Sequence, residues 1–466
     1  MEHLSERELL RRLEFDNPWW AFRTDTRVRF RHPATRGLAV PVIRRVLSDD
    51  LDHPLVLAGP SGTGKTIVLR QALAAVVRGG LSPLRIAFLS LSAPIYTEHD
   101  LVSLIDRFLA RFEHVAADKL CIFLDDLNYL PDGLAQLANL QKRMPQTRLV
   151  AAMGAGAPRL TAGPAADGSV EVMILPPLDF NEFMTFRDAG DALGPLLPET
   201  ADSLELSPMA LARLNDEFAR YITFGGFPSG IAAGREDEAP PALVRGGLLH
   251  DTLRRDLAGY AGVNDPHGLG RLFAILARNT AGEASIEELA TATGVAKNTL
   301  RKYLDFLEDA FLIRRLPRLD KDGKPFQRQV LFKVYLTSPT LYTAMFGPVD
   351  PAAPEFARLV ETAVVGHCYA KARMDRLAYA SWKGGMVDLI ELDEPGGRPQ
   401  HLFQMDWREE VIASSEGPAT MVNFAVRANP DAHMTILTQS RGGPARRGAV
   451  DINLLPAALY AHWLGS

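Results

Sequence analysis

The apolar run Pro54-Leu55-Val56-Leu57-Ala58 leads directly into Gly59-Pro60-Ser61-Gly62-Thr63-Gly64-Lys65-Thr66, and Ile67-Val68-Leu69-Arg70-Gln71-Ala72-Leu73 follows. A buried strand, a glycine-rich loop and a helix in that order constrain the fold more than any other stretch. The strand must end where the helix begins, as it does in an α/β sheet covered by helices. The glycines let successive backbone N–H groups turn inward around a phosphate chain, and the helix start adds its partial positive charge at the same point. Lys65 is expected to reach the β- and γ-phosphates of a nucleoside triphosphate, and the Thr66 hydroxyl to hold Mg²⁺.

At 466 residues the chain is too long for one core, and two to four domains are expected. Its formal charge of -5 gives no global attraction to nucleic acid, so any such contact needs a local basic patch. Cys121 and Cys368 lie far apart in sequence, which argues against a disulfide framework. The polar start Met1-Glu2-His3-Leu4-Ser5-Glu6 and the lack of any long apolar run predict a cytoplasmic protein with no membrane contact.

Between about 51 and 180, apolar strands alternate with amphipathic helices. The predicted strands are Pro54–Gly59, Arg85–Leu91, Leu120–Asp126, Arg148–Gly154 and Val170–Leu175, a pattern that calls for a parallel sheet. Leu101, Leu104, Ile105, Phe108, Leu109 and Phe112 fall on one helical face behind Asp100 as N-cap. From about 180 to 280 helical periodicity takes over. Residues 283–335 then read as two short helices turning at Gly294, with Phe311–Leu316 and Val330–Tyr335 flanking an Asp322-Gly323 turn as a wing. Pro348–Pro354 marks a further boundary before a last α/β segment. Asn17-Pro18-Trp19-Trp20 reads as a packed anchor, and 162–168 as an exposed loop.

Hydrolysis needs a metal carboxylate and a group to orient water. Leu120-Cys121-Ile122-Phe123-Leu124-Asp125-Asp126 supplies both, on a strand expected to lie beside the loop strand. Asp125 would meet the Mg²⁺ and Asp126 the attacking water. Asp126 is one methylene shorter than the Glu most ATPases of this class place there.

The chain resembles the AAA+ ATPases of bacteria and archaea that end in a restriction-endonuclease-like domain. The resemblance rests on Asn17–Trp20, Gly59–Thr66, Phe123–Leu127, Leu175–Phe183, Tyr221–Pro228, Leu253–Leu257, Thr299–Leu307, Ser381-Trp382 and Val387-Asp388, in that order. It implies a P-loop parallel sheet over 51–195 behind an N-terminal helical lead (1–50). It further implies a helical lid (196–280), a winged helix (281–340) and a restriction-endonuclease-like α/β domain (350–466). It also implies ATP and Mg²⁺ as ligands. Within it, Pro228 of Gly225-Gly226-Phe227-Pro228 would pack near the adenine, although the same residues would equally serve a helix-ending turn. Arg255 would stabilise transition-state charge, in cis or from a neighbouring subunit, or else pair with Asp251 or Asp256 at the surface. A homo-oligomer is the family's expectation.

Two departures stand out. Where the family carries a hydroxyl-bearing sensor after the fourth strand, this chain has Met153-Gly154-Ala155-Gly156, with Arg159 a weak substitute. In the C-terminal domain Glu361 and Asp388 match two acidic metal ligands, but the expected Glu-x-Lys reads Gln404-Met405-Asp406, which argues against nuclease chemistry.

From 301 to 333 nine basic residues face five acidic ones, with Arg301 and Lys302 on the presumed recognition helix and Arg314 and Arg315 in the wing. That segment is the candidate DNA contact, for double-stranded or branched DNA, and it equally reads as a packing module. Two functions remain: an ATP-hydrolysing switch or motor on DNA or a DNA-bound partner, and a slow-turnover ATP-binding scaffold that meets a protein partner through its C-terminal domain.

Overall fold

The computed structural model describes residues 5–21, 36–48, 52–96, 98–154, 167–187, 207–228, 231, 265–370, 374–414, 417–447 and 450–465. They divide into two compact units, the first ending at Leu175 and the second beginning at Pro176.

The first unit is a five-stranded sheet in which every pairing is parallel, ordered β2-β3-β4-β1-β5. Its strands are β1 (Leu55–Ala58), β2 (Ile86–Ser90), β3 (Cys121–Asp125), β4 (Arg148–Met153) and β5 (Glu171–Ile174). All five predicted strands are present. Strands covered on both faces need no polar alternation, which is why they read as unbroken apolar runs. The expectation that the Asp125 strand lies beside the loop strand is corrected: β4 sits between β3 and β1, pairing with both. The helix Leu101–Phe112 starts as expected, with the Asp100 carboxylate accepting from Ser103 N at 2.7 Å.

The open edge of β2 is closed by the Asn17–Trp20 segment. Asn17 is fully buried and bonds both ways to Phe88: its Nδ2 donates to Phe88 O (2.8 Å) and its Oδ1 accepts from Phe88 N (2.6 Å). Trp20 Nε1 donates to Ile86 O at 2.8 Å, and its ring stacks on Phe108 at 5.5 Å. The paired tryptophans are an anchor that satisfies edge-strand backbone groups.

The second unit holds a nine-stranded sheet, ordered β13-β14-β12-β11-β10-β9-β7-β8-β6. Its first strands are β6 (Gly282–Ser285), β7 (Ile313–Leu319) and β8 (Leu331–Leu336), followed by β9 (Leu377–Trp382), β10 (Gly385–Leu392) and β11 (Pro399–Asp406). β12 (His433–Thr438), β13 (Gly443–Arg447) and β14 (Val450–Pro456) complete it. Between β6 and β7 stand the helices Ile286–Thr293 and Lys297–Asp309. Gly294 turns the chain between them at φ 72°, a conformation glycine adopts without a Cβ penalty. Ser285 and Glu288 form a reciprocal capping box ahead of the first of these helices. β7 and β8 form an antiparallel hairpin around Asp320–Lys324, with Gly323 at φ 76°. Two short helices joined at Gly294 and an antiparallel hairpin are thus present over this stretch. They do not stop at a boundary, because β7 pairs in parallel with β9 at Arg318↔Tyr379 and Leu319↔Ala380 and so joins one sheet.

The helices Phe180–Phe186 and Pro208–Phe224, expected to belong to the ATPase core and its lid, pack within the second unit. Phe218 lies 6.2 Å from the Trp407 ring, and Phe180 N donates to His367 Nε2 at 2.8 Å. Their apolar faces meet the C-terminal helices instead. Among the described residues no helix is long and apolar enough to cross a membrane.

Candidate phosphate-loop site

β1 ends at Ala58 and the helix Lys65–Arg78 begins seven residues later, as the sequence pattern demands. At Gly59, Gly62 and Gly64 the loop between them uses backbone that suits glycine. A Cβ on Gly59 would stand 2.2 Å from Leu175 O, and Gly62 and Gly64 hold φ of 79° and 92°. Thr63 Oγ1 donates to Pro60 O (3.0 Å), and the buried Arg36 guanidinium donates to Thr63 O (3.0 Å), so the loop is held from both sides. Ser61 and Gly62 complete it at the mouth. Lys65 is buried, its Nζ donating to Gly59 O at 2.9 Å and Pro60 O at 2.7 Å. The ammonium thus lies folded over the cradle it is expected to serve. Preformed glycine turns, a helix N-terminus and a lysine at its first turn fit a polyphosphate chain.

Asp125 ends β3 and is 4% exposed, with the Thr66 hydroxyl beside its carboxylate. One strand separates it from β1, yet the two proposed metal ligands meet. Burial, then the adjacent Asp126 charge, pushes the Asp125 carboxyl up to about 6, against the opposing pull of Thr66, Lys65 and Arg70. A buried carboxylate held uncomfortably charged beside a hydroxyl suits a divalent cation, so the residues present fit Mg²⁺. Asp126 takes the left-handed conformation (φ 59°) immediately after the strand and is partly exposed. Its backbone leaves the strand direction at that residue.

Sequence reasoning missed Asn128. Its Oδ1 accepts from Gly154 N at 2.9 Å, which brings a side-chain amide to the end of β4, where the expected sensor hydroxyl is missing. Ala155, Gly156, Arg159 and Arg255 lie outside the described residues. Pro228 follows the helix Pro208–Phe224 in the second unit, and its neighbouring glycines are explained by packing. A Cβ on Gly226 would stand 2.1 Å from Ser338 Oγ, and Gly226 N donates to Thr340 Oγ1 at 3.0 Å.

The basic segment is less free than its composition suggests. Arg301 and Lys302 are exposed on the helix Lys297–Asp309, Arg301 bonding only along its own helix to Asn298. Arg314 is partly buried. Arg315 is turned inward: its guanidinium binds Glu308 and, at 2.9 Å, Asp305 Oδ1. Arg318 donates to Ser381 O at 2.8 Å, and Lys333 lies 2.7 Å from Glu361 Oε1 in the interior.

In the C-terminal part Glu361 and Asp388 come close to one another in the interior. Lys333 stands between them. Burial works against its ammonium, and the carboxylates of Glu361 and Asp388 outweigh that and hold it above the ordinary lysine value. Asp406, where the family pattern wants a cation, caps a short helix by accepting from Val411 N and Ile412 N at 3.1 and 2.8 Å. Among the described residues no group of three or more His, Cys, Asp or Glu is placed to hold a metal ion. The residues present do not fit a nuclease metal.

Comparison with known proteins agrees with the first unit. Residues 52–184 match a family model described as an AAA domain, and 215–351 match a domain of unknown function, DUF8612. An uncharacterised protein of Haemophilus influenzae is 26% identical over 290 residues, 59% of this chain and 65% of that protein. One from Mycobacterium tuberculosis is 30% identical over 240 residues, 50% of this chain and 46% of that protein. The chain therefore spans less than two thirds of either relative. Among solved structures, the Orc1 protein of Aeropyrum pernix in complex with DNA is similar over 70% of this chain and 95% of its own, at 13% identity and a TM-score of 0.31. AMPPCP-bound DnaA from Aquifex aeolicus is similar over 59% and 87%, at 17% identity and a TM-score of 0.28. At such scores nothing about function follows from either structure. With its parallel sheet and the match over 52–184, the first unit carries a P-loop AAA fold.

Proposed function

We propose that the chain binds ATP and hydrolyses it with Mg²⁺, acting as a nucleotide-dependent switch or motor on DNA or a DNA-bound partner. The observation that carries this reading is the convergence of Gly59–Thr66 with Asp125, the Thr66 hydroxyl lying beside the carboxylate. In this reading the backbone N–H groups of Ser61 to Lys65 receive the phosphates, and the Lys65 ammonium leaves the loop carbonyls for the β- and γ-oxygens. Thr66 and Asp125 hold the Mg²⁺, which when bound neutralises charge on the transferring phosphoryl group. Asp126 accepts a proton from the attacking water. Asn128 donates an amide hydrogen at the end of β4, in the role a sensor hydroxyl would fill.

The helix Lys297–Asp309 and the β7–β8 hairpin are a winged helix in this reading, with Arg301, Lys302, Lys321, Lys324 and Arg328 exposed toward the phosphates of duplex or branched DNA. Arg315 is left out of that set, being committed to Asp305 and Glu308. The C-terminal strands form a non-catalytic restriction-endonuclease-like module for a protein partner. Arg255 is assigned to transition-state charge, in cis or from a neighbouring subunit of a homo-oligomer.

A second reading, a slow-turnover ATP-binding scaffold, is favoured by the short Asp126 side chain and by the absence of a side-chain hydroxyl on Met153 and Gly154 at the β4 end. Steady-state hydrolysis with and without duplex DNA separates the two. DNA-stimulated turnover supports the switch. ATP binding with turnover no faster than the Lys65→Ala variant supports the scaffold.

A further inference from the structure

Three charged side chains lie deep in the second unit and take no part in the phosphate loop. Lys333 is 1% exposed, Glu361 7% and Asp388 5%. They arrive from separate elements: Lys333 from β8, Glu361 from the helix Pro354–Ala370 and Asp388 from β10. Lys333 Nζ is 2.7 Å from Glu361 Oε1, 3.0 Å from the main-chain oxygen of Asp388 and 3.7 Å from Asp388 Oδ1. Three oxygens, two of them carboxylate, thus surround one point.

That is the ligand type a hard divalent cation takes. The spacing is not: such ions sit about 2.0–2.6 Å from oxygen, whereas these contacts suit an ammonium. The rest of the network is arranged around a single positive charge. Tyr335 OH donates to Glu361 Oε1 at 2.5 Å. Gln404 Nε2 and Met405 N donate to Asp388 Oδ2 at 2.5 and 2.8 Å. One ammonium and three neutral donors therefore serve two carboxylates. Gln404 stands where the family pattern expects an acidic ligand, and here its amide is a donor to the centre. Two carboxylates buried together without a cation are disfavoured, and an ammonium between them offsets their repulsion.

We propose that Lys333 is the resident cation of this centre. Its ammonium holds the place of a divalent ion between Glu361 and Asp388, closes the centre to metal, and ties the β7–β8 hairpin to the C-terminal strands. The centre is a latent divalent-cation site whose cation is covalently attached.

The test is chemical rescue on the full chain, in an Asp125→Asn background that removes the phosphate-loop carboxylate, without nucleotide. Melting temperature is read in chelator and in millimolar Mn²⁺. The parent should show no Mn²⁺ response that depends on Glu361. Lys333→Ala should melt several degrees lower in chelator and recover with Mn²⁺, and adding Glu361→Gln should abolish that recovery. A Glu361-dependent Mn²⁺ response in the parent would overturn the proposal, as would a folded Lys333→Ala chain that Mn²⁺ does not stabilise. Should Lys333→Ala fail to fold, Lys333→Met decides in its place: its lost melting temperature should return when Glu361→Gln is added. No return means the lysine is not the carboxylate's counter-charge.

Discussion

In the proposed reading Lys65 and Asp125 carry the nucleotide chemistry, and both are buried. Lys65→Ala removes the cation that meets the phosphates, so ATP should no longer raise the melting temperature, while the unliganded fold persists. Differential scanning fluorimetry checks this, and an undiminished ATP shift would move the phosphate contact elsewhere. Asp125 makes an unusual stability prediction. Its folded value of about 6 lies above the ordinary aspartate value of 3.8, so the folded chain holds the proton more tightly than the unfolded chain does. Stability should therefore fall as pH rises from about 4 through about 6, and remain lower above it. Asp125→Asn keeps a polar partner for Thr66 and removes that penalty. The metal-free variant should gain up to about 3 kcal/mol at neutral pH and nothing near pH 4. The same variant should lose Mg²⁺-dependent hydrolysis. Thermal melts across pH decide it, and a variant less stable than the parent at neutral pH would contradict the buried-charge account.

At the scale of elements, the Asn17 segment and the basic helix separate structural from functional polarity. Asn17→Ala strands the Phe88 N–H and C=O on the β2 edge and should destabilise the first unit by about 2–4 kcal/mol, measured by denaturant unfolding. A change below about 0.5 kcal/mol would mean that water or a neighbour serves that edge. On the helix Lys297–Asp309, Arg301→Ala and Lys302→Ala should each reduce the salt slope of duplex binding by about one, leaving stability nearly unchanged. Arg315→Ala should do the reverse, lowering stability while leaving the salt slope alone.

The same elements show what the sequence carries and what it hides. Strands buried on both faces advertise themselves as apolar runs, and glycines at left-handed turns mark Gly62, Gly64 and Gly294 directly. Strand order is hidden, because nothing in Leu120–Asp126 records that β4 will insert beside it. Lys333 read as one more wing cation because β8 is covered on both faces and loses its alternation, and Glu361 is 28 residues away in sequence. Asn128 was hidden likewise, its Gly154 partner lying 26 residues on.

For the whole molecule, the account assigns nucleotide chemistry to the first unit and gives the second no phosphodiester cleavage. Purified protein with Mg²⁺ or Mn²⁺ and supercoiled, linear or branched DNA should leave the DNA intact. Cleavage lost in Glu361→Gln would contradict the tethered-cation centre. Within the stretch expected as a lid, the helices Pro208–Phe224 and Pro266–Arg278 lie in the second unit.

The most direct test is steady-state release of phosphate from ATP by the full chain with Mg²⁺, alone and with duplex DNA, against Lys65→Ala and Asp126→Asn. The account predicts turnover above the Lys65→Ala level that requires Mg²⁺, rises with DNA and disappears in Asp126→Asn while ATP binding persists. Turnover equal in all three proteins, or no ATP binding by the parent, would contradict it.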